Sequence, residues 1–228
     1  MSHYEKAWQA VRERIAAAAV ATGRPPQSVQ LLAVSKTFSA DAVRALHALG
    51  QRTFGENQVQ EGAGKCAALN DLAAVEWHLI GPLQSNKTKL AAATFDWIES
   101  VDRLKTAERL SAQRPATLPP LNICVQVNAS GEISKRGVAP ADALAIARDV
   151  AALPRLHFRG IMGIPEQTQD VARLRAQFRI LRKCYDSCAA AGLPVDTLSM
   201  GMSADLEVAI AEGATQVRVG TAIFGERG

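Results

Sequence analysis

Three side chains in this sequence stand where strand-like runs meet loops, and their types could do chemistry together. Lys36 ends the run Leu31-Leu32-Ala33-Val34-Ser35, Arg218 sits between Val217 and Val219, and Thr221 follows Gly220 directly after that second run. A lysine amine whose pKa is lowered by burial or by nearby cations can form a Schiff base with a carbonyl carbon. Glycine lets backbone approach a ligand closely, and successive N–H groups with a threonine hydroxyl suit phosphate oxygens. The loop Ser199-Met200-Gly201-Met202-Ser203-Ala204-Asp205 adds a second candidate. Ser203 is placed to cap a following helix, and helix N-termini attract anions. Taken singly, either loop is also ordinary turn and cap chemistry.

Each charged residue has a plainer reading beside the chemical one. A short apolar run reads as a strand buried on both faces. Lys36 at its end is either a solvated terminus or an amine held in a pocket. Side chains alternate along a strand, so if Val217 and Val219 pack outward, Arg218 points inward. A guanidinium there is always charged and needs a partner, either an inward Asp or Glu or a ligand. Asn57 is a further candidate at a strand end. His78 reads as a hydrogen-bonded core histidine, and His3, His47 and His157 have no ligand spacing. Cys124, Gln126 and Asn128 share one face of their strand, opposite Ile123, Val125 and Val127. A phosphate cradle with a Schiff-base lysine suits pyridoxal 5'-phosphate (PLP). It suits a sugar-phosphate aldolase equally, and the residue types leave both open.

The elements that must position these groups follow from periodicity and punctuation. Residues 2–22 form a helix with Ser2 and Glu5 at capping-box spacing and a stripe of Trp8, Val11, Ile15, Ala18 and Thr22. Gly23, Pro25 and Pro26 end it. Strands are expected at 31–36, 53–55, 76–80, 96–101, 121–128, 155–162, 196–200 and 216–219. Helices are expected at 39–49, 58–70, 86–93, 103–113, 140–152, 170–191 and 203–213. Eight strands alternating with helices imply parallel pairing, and closing them gives a (β/α)8 TIM barrel. One domain over 1–228 results, with an extra N-terminal helix at 2–22 and the barrel at 31–225. An open doubly wound sheet is the alternative, but no glycine-rich dinucleotide fingerprint follows the first strand. Active sites of such barrels lie at the C-terminal strand ends, and the loops after strands seven and eight commonly bind phosphate. Lys36 and both candidate loops then share one rim.

Composition bounds the class. A chain of 228 residues suits one barrel, and 26 basic against 22 acidic residues leave a net +4 with no basic stripe for nucleic acid. Arg173, Arg175, Arg179, Arg182 and Lys183 read as a solvated helix face. Cys66, Cys124, Cys184 and Cys188 lack redox or zinc spacing and read as packed thiols of a reducing compartment. No apolar run nears the ~18 residues of a membrane span, and the start lacks a secretion signal. A cytoplasmic protein that binds neither nucleic acid nor membrane is expected.

Ordered motifs along the whole chain resemble the pyridoxal phosphate homeostasis protein family. They are Ala33-Val34-Ser35-Lys36-Thr37, Phe54-Gly55-Glu56-Asn57 with Val59-Gln60-Glu61, and Trp77-His78-Leu79-Ile80-Gly81-Pro82-Leu83-Gln84-Ser85-Asn86-Lys87. Glu132 with Lys135 and Gly137, Leu198 to Ser203, and Val217 to Gly225 follow. Gln58 and Leu79 depart from the tyrosine and phenylalanine of many members. The resemblance implies a barrel related to the alanine racemase N-terminal domain, a PLP fold of type III. It implies PLP as a Schiff base on Lys36, with phosphate on Ser203, Gly220 and Thr221 and Ser199 nearby. Asn57 would line the pocket, and Arg218 would face the pyridine nitrogen, weakening the ring as an electron sink. It further implies a PLP carrier for intracellular homeostasis without robust catalysis, with apo PLP-dependent enzymes as partners; a monomer is expected because no exposed apolar stripe argues for an obligate dimer. The alternative is a PLP-dependent amino-acid racemase. Such racemases carry a second, β-rich domain, whereas this sequence runs nine residues past Val219. Two-base racemisation also needs a proton donor opposite the lysine, and the sequence offers no evident one.

Overall fold

Strands that are apolar along their length need cover on both faces. In the computed structural model of the chain, which describes residues 2–132 and 135–225, they are covered by closing into a ring. The strands are β1 (Gln30–Val34), β2 (Thr53–Glu56), β3 (Glu76–Leu79), β4 (Trp97–Val101), β5 (Leu121–Val127), β6 (Leu156–Gly163), β7 (Thr197–Ser199) and β8 (Gln216–Val219). All neighbours pair in parallel, in chain order, and β8 returns to β1. Seven helices alternate with the strands: α2 (Ala40–Ala48), α3 (Val59–Ala68), α4 (Thr88–Thr94), α5 (Leu104–Gln113), α6 (Ala143–Ala151), α7 (Val171–Ala190) and α8 (Leu206–Ala211). α1 (His3–Ala21) precedes the barrel, and the short α9 (Thr221–Phe224) follows β8. The expected (β/α)8 barrel with an extra N-terminal helix is therefore what forms.

The two faces of the ring differ in kind. Outward residues such as Ala33, Phe54, Ile98, Ile123, Ile161, Leu198, Val217 and Val219 share one apolar cluster with the helix side chains. Inward residues form a small separate cluster of Trp97, Cys124 and Met162, and Leu32 shares the inner space with polar side chains such as His78, Glu99, Ser199 and Arg218. Burying the outer valines of β8 is what turns Arg218 inward, as alternation requires.

α1 is held by its sequence ends and its stripe. The Ser2 hydroxyl accepts from Glu5 N–H while the Glu5 carboxylate accepts from Ser2 N–H. Trp8, Val11, Ile15 and Ala19 bury, so the stripe finishes on Ala19 where Ala18 and Thr22 were expected. The helix lies along α8, α9 and α2, with Arg14 paired to Glu207 of α8 at 2.7 Å.

Element ends depart from expectation where tertiary contacts override local signals. β1 stops at Val34, so Ser35 and Lys36 stand in the turn beyond it, and Thr37 takes a left-handed φ of +70°. α8 begins at Leu206, so Ser203 is no helix cap. Single 3-10 turns at Ser85–Lys87 and Pro140–Asp142 precede α4 and α6. The arginines of α7 are exposed but paired: Arg173 with Glu166, Arg175 and Arg179 with Glu212, and Arg182 with Asp186. Such surface pairs contribute little to stability. The four cysteines are free thiols, three of them buried, and burial pushes Cys66 up to about 12 and Cys188 up to about 11. Among the described residues no helix is long and apolar enough to cross a membrane, and no metal-ligating cluster forms.

Candidate functional site

A cleft of about 420 Å³ opens at the C-terminal ends of the strands. Lys36, Asn57, Ser203, Arg218, Gly220 and Thr221 all line it, and Val34, Ile80, Pro82, Ile164 and Met202 supply its apolar walls. Six of the seven expected site residues thus converge from four separate segments of the chain. The seventh, Ser199, does not line the cleft.

Local packing sets each of these groups. Lys36 is half-buried in a turn closed by Phe38 N–H on Ser35 O at 3.1 Å, with Phe38 stacked on Phe224 at 4.9 Å. Asn57 follows β2 and is pressed against Gly81, where a Cβ would lie 2.1 Å from the Asn57 carbonyl oxygen. Gly81→Ala must therefore push the Asn57 loop aside, at a cost of about 1–3 kcal/mol, and urea unfolding would measure it. The Ser203 hydroxyl accepts from Ala222 N–H at 3.4 Å, tying the loop after β7 to the start of α9. Arg14 of α1 donates to Ser203 O at 3.1 Å and fixes the same loop from outside.

Ser199 lies beneath the cleft floor, fully buried, with its hydroxyl committed. It donates to Glu99 Oε2 at 2.6 Å and accepts from Arg218 Nη1 at 2.6 Å and Gln216 Nε2 at 3.1 Å. Arg218 is 3% exposed, and its Nη2 donates to Gly163 O at 2.8 Å. Of the two sequence readings of Arg218, the inward acidic partner is present as Glu99, bridged by Ser199, and the guanidinium also lines the cleft.

Glu99 is the hub of this interior network. Its Oε1 accepts from Gln216 Nε2 at 2.7 Å and pairs with His78 Nδ1 at 2.6 Å, and the His78 ring stacks on Trp97 at 4.9 Å. Burial alone would push Glu99 up. The hydrogen bond from His78, then the charges of His78 and Arg218, hold it below the usual carboxylate range. Burial alone would push His78 down, yet the Glu76 and Glu99 carboxylates raise it. Glu76, at 3.9 Å, acts there as a nearby charge, since that distance is too long for a hydrogen bond. Burial lowers Arg218 against the opposing charge of Glu99, and the guanidinium remains protonated.

A second buried network stands behind Lys36, on the helix side of the barrel wall. Glu56 and Lys65 are buried and pair at 2.7 Å, and Lys65 also pairs with Glu61 at 2.8 Å. Sequence reading missed Glu99, Glu56, Lys65 and Glu61 as site-related residues. Glu99 carried a signal, since Trp97-Ile98-Glu99 alternates as Val217-Arg218-Val219 does. The Glu61–Lys65 spacing is that of a helical ion pair. Nothing local joins either residue to Glu56.

With this geometry, residues 8–228 match the family described as alanine racemase, N-terminal domain. The pyridoxal phosphate homeostasis protein of Pseudomonas aeruginosa is 58% identical, over 95% of this chain and 93% of its own. The chain belongs to the pyridoxal phosphate homeostasis protein family. Among solved structures, PipY of Synechococcus elongatus with PLP bound superposes with a TM-score of 0.81 at 42% identity, covering 94% of this chain and 100% of that one. Alanine racemase of Clostridium difficile superposes with a TM-score of 0.72 at 15% identity, over 88% of this chain and 53% of that one. That last likeness is one of fold alone. A barrel shared by homeostasis proteins and a racemase leaves the chemistry to be argued from the side chains at the strand ends.

Proposed function

We propose that the protein binds PLP, holds it as a Schiff base on Lys36, and serves intracellular PLP homeostasis without robust catalysis. One observation carries this: a lysine, a buried arginine and a hydroxyl-bearing loop pair converge on one cleft with no carboxylate among its described lining residues. That donor-rich, cationic lining suits an anionic ligand bearing an aldehyde, and PLP fits it. Bound there, PLP supplies an electrophilic carbonyl and an electron-withdrawing ring. Lys36 would hold the carbonyl carbon, and Ser203, Gly220 and Thr221 the phosphate. Asn57 would line the ring's surroundings. Arg218, permanently charged, would face the pyridine nitrogen and keep a proton off it. Ser199 holds Arg218 in place from below.

The racemase alternative requires a second acid/base group opposite the lysine. Lys36 and Arg218 are the only ionisable side chains among the described lining residues, which supports a carrier. We place the protein in the cytoplasm as a monomer that supplies apo PLP-dependent enzymes. The test is to incubate the protein with PLP, reduce it with borohydride, digest it and map the adduct by mass. A phosphopyridoxyl group on Lys36 is expected, and unmodified protein would refute the proposal. Robust turnover of L- to D-alanine or serine, lost in Lys36→Ala, would replace the carrier with a racemase.

A further inference from the structure

We infer that Glu61, Lys65 and Glu56 form a positioning cluster that aims Lys36 into the cleft from the far side of the barrel wall. The inference rests on the reading of Lys36 as the PLP-bearing residue. Its ground is what the cluster holds: the two residues that flank Lys36 in the chain.

Lys65 Nζ donates to Ser35 O at 2.6 Å, and the Ser35 hydroxyl donates to Glu56 Oε1 at 2.6 Å. Glu61 Oε1 accepts Thr37 N–H at 2.5 Å. The same Lys65 ammonium joins the two carboxylates, at 2.7 Å to Glu56 and 2.8 Å to Glu61. Lys65 thus has three acceptors for its three protons. The peptide groups on both sides of Lys36 are gripped by one ionic unit carried on β2 and α3.

Two physical points separate this from an ordinary buried ion pair. Thr37 is β-branched and sits at φ +70°, a left-handed conformation such residues disfavour. A backbone held there persists only when its surroundings over-determine it, and such positions gather at functional sites. The Glu61 carboxylate on Thr37 N–H is the contact that does so. Secondly, a buried ion pair gains little stability over well-packed apolar residues. Its presence next to Lys36 is accounted for if it fixes geometry. A lysine side chain has several free torsions, and fixing its Cα and the departing chain narrows where the amine can reach.

The test separates aiming from general support. Glu61 is the member to change, because its side chain is 25% exposed and its loss leaves the core packed. Wild type, Glu61→Ala and Glu61→Gln are compared with two ligands, PLP and its alcohol analogue pyridoxine 5'-phosphate. The analogue offers the same phosphate and ring but no carbonyl for Lys36. In Glu61→Ala, PLP affinity and the rate of forming the borohydride-trapped Lys36 adduct should fall about tenfold. Affinity for the analogue should stay at the wild-type value. Glu61→Gln should recover most of the loss, because its amide oxygen can accept from Thr37 N–H. Unchanged PLP binding in Glu61→Ala, or equal weakening of both ligands, would overturn the inference. A wild-type protein that forms no adduct on Lys36 would instead sink the functional reading, and this inference with it.

Discussion

Lys65→Met is expected to destabilise the protein by about 3–5 kcal/mol in urea unfolding at neutral pH. The magnitude follows from what methionine leaves behind. It fills the volume of the lysine stem but offers no donor, so Glu56, fully buried, loses its counter-charge, and Ser35 O keeps only Phe38 N–H. Breaking one side of a buried pair costs far more than the pair itself contributes. Burial already pushes Glu56 above the usual carboxylate range, against the hydrogen bonds from Lys65 and Ser35 that pull it down. Without Lys65 it rises further. The sign then follows from linkage. Below pH 4.5, its ordinary value, Glu56 is neutral in both states and the deficit of the variant is small. Above it the unfolded chain ionises while the folded one resists, so the deficit grows as pH rises. Adding Glu56→Gln to Lys65→Met removes the unpaired charge and should recover a large part of the loss. A single variant within about 1 kcal/mol of wild type would show that the cluster is solvated or unformed.

That cluster also marks what was legible in the chain and what was not. The eight strands and the cleft residues were readable because continuous apolar runs, glycine and proline punctuation, and strand alternation are local signals. Arg218 could be turned inward on the strength of two valines alone. The misses share a cause. β1 ends early because Glu61, more than twenty residues on, captures Thr37 N–H. Ser203 forgoes its capping role because the helix starts later and Ala222 N–H claims its hydroxyl. Ser199, expected near the phosphate, points inward at the level of Gln216, below the rim, where Glu99 and Arg218 take both roles of its hydroxyl. Levels inside a barrel depend on the stagger of strands around the ring. No single strand records that stagger, so β4, β7 and β8 could not be matched by inspection.

Glu99→Gln tests the interior network by the same logic, with a two-sided pH signature where that of the outer cluster runs in one direction. Glu99 is fully buried and is the carboxylate nearest both Arg218 and His78 in the hydrogen-bonded chain. Glutamine keeps the shape and one acceptor but removes the charge that balances a buried guanidinium and a buried imidazolium. A loss of about 3–5 kcal/mol near pH 5.5 is expected. In wild type, Glu99 is held below its ordinary 4.5, so its contribution is present above that pH and fades as pH falls through the folded value. His78 is held above its ordinary 6.5, so its contribution is complete below that pH and fades as pH rises through the folded value. The gap between wild type and Glu99→Gln should therefore be widest between pH 4.5 and 6.5 and narrow on both sides. Urea titrations across that range measure it, and a gap independent of pH would mean that His78 stays neutral beside Glu99. Because Ser199 links Glu99 to Arg218, the same variant leaves the guanidinium at the cleft floor without its balancing charge, held by Ser199 and Gly163 O alone. Its effect on retained PLP then reports how far the cofactor depends on an arginine fixed from beneath.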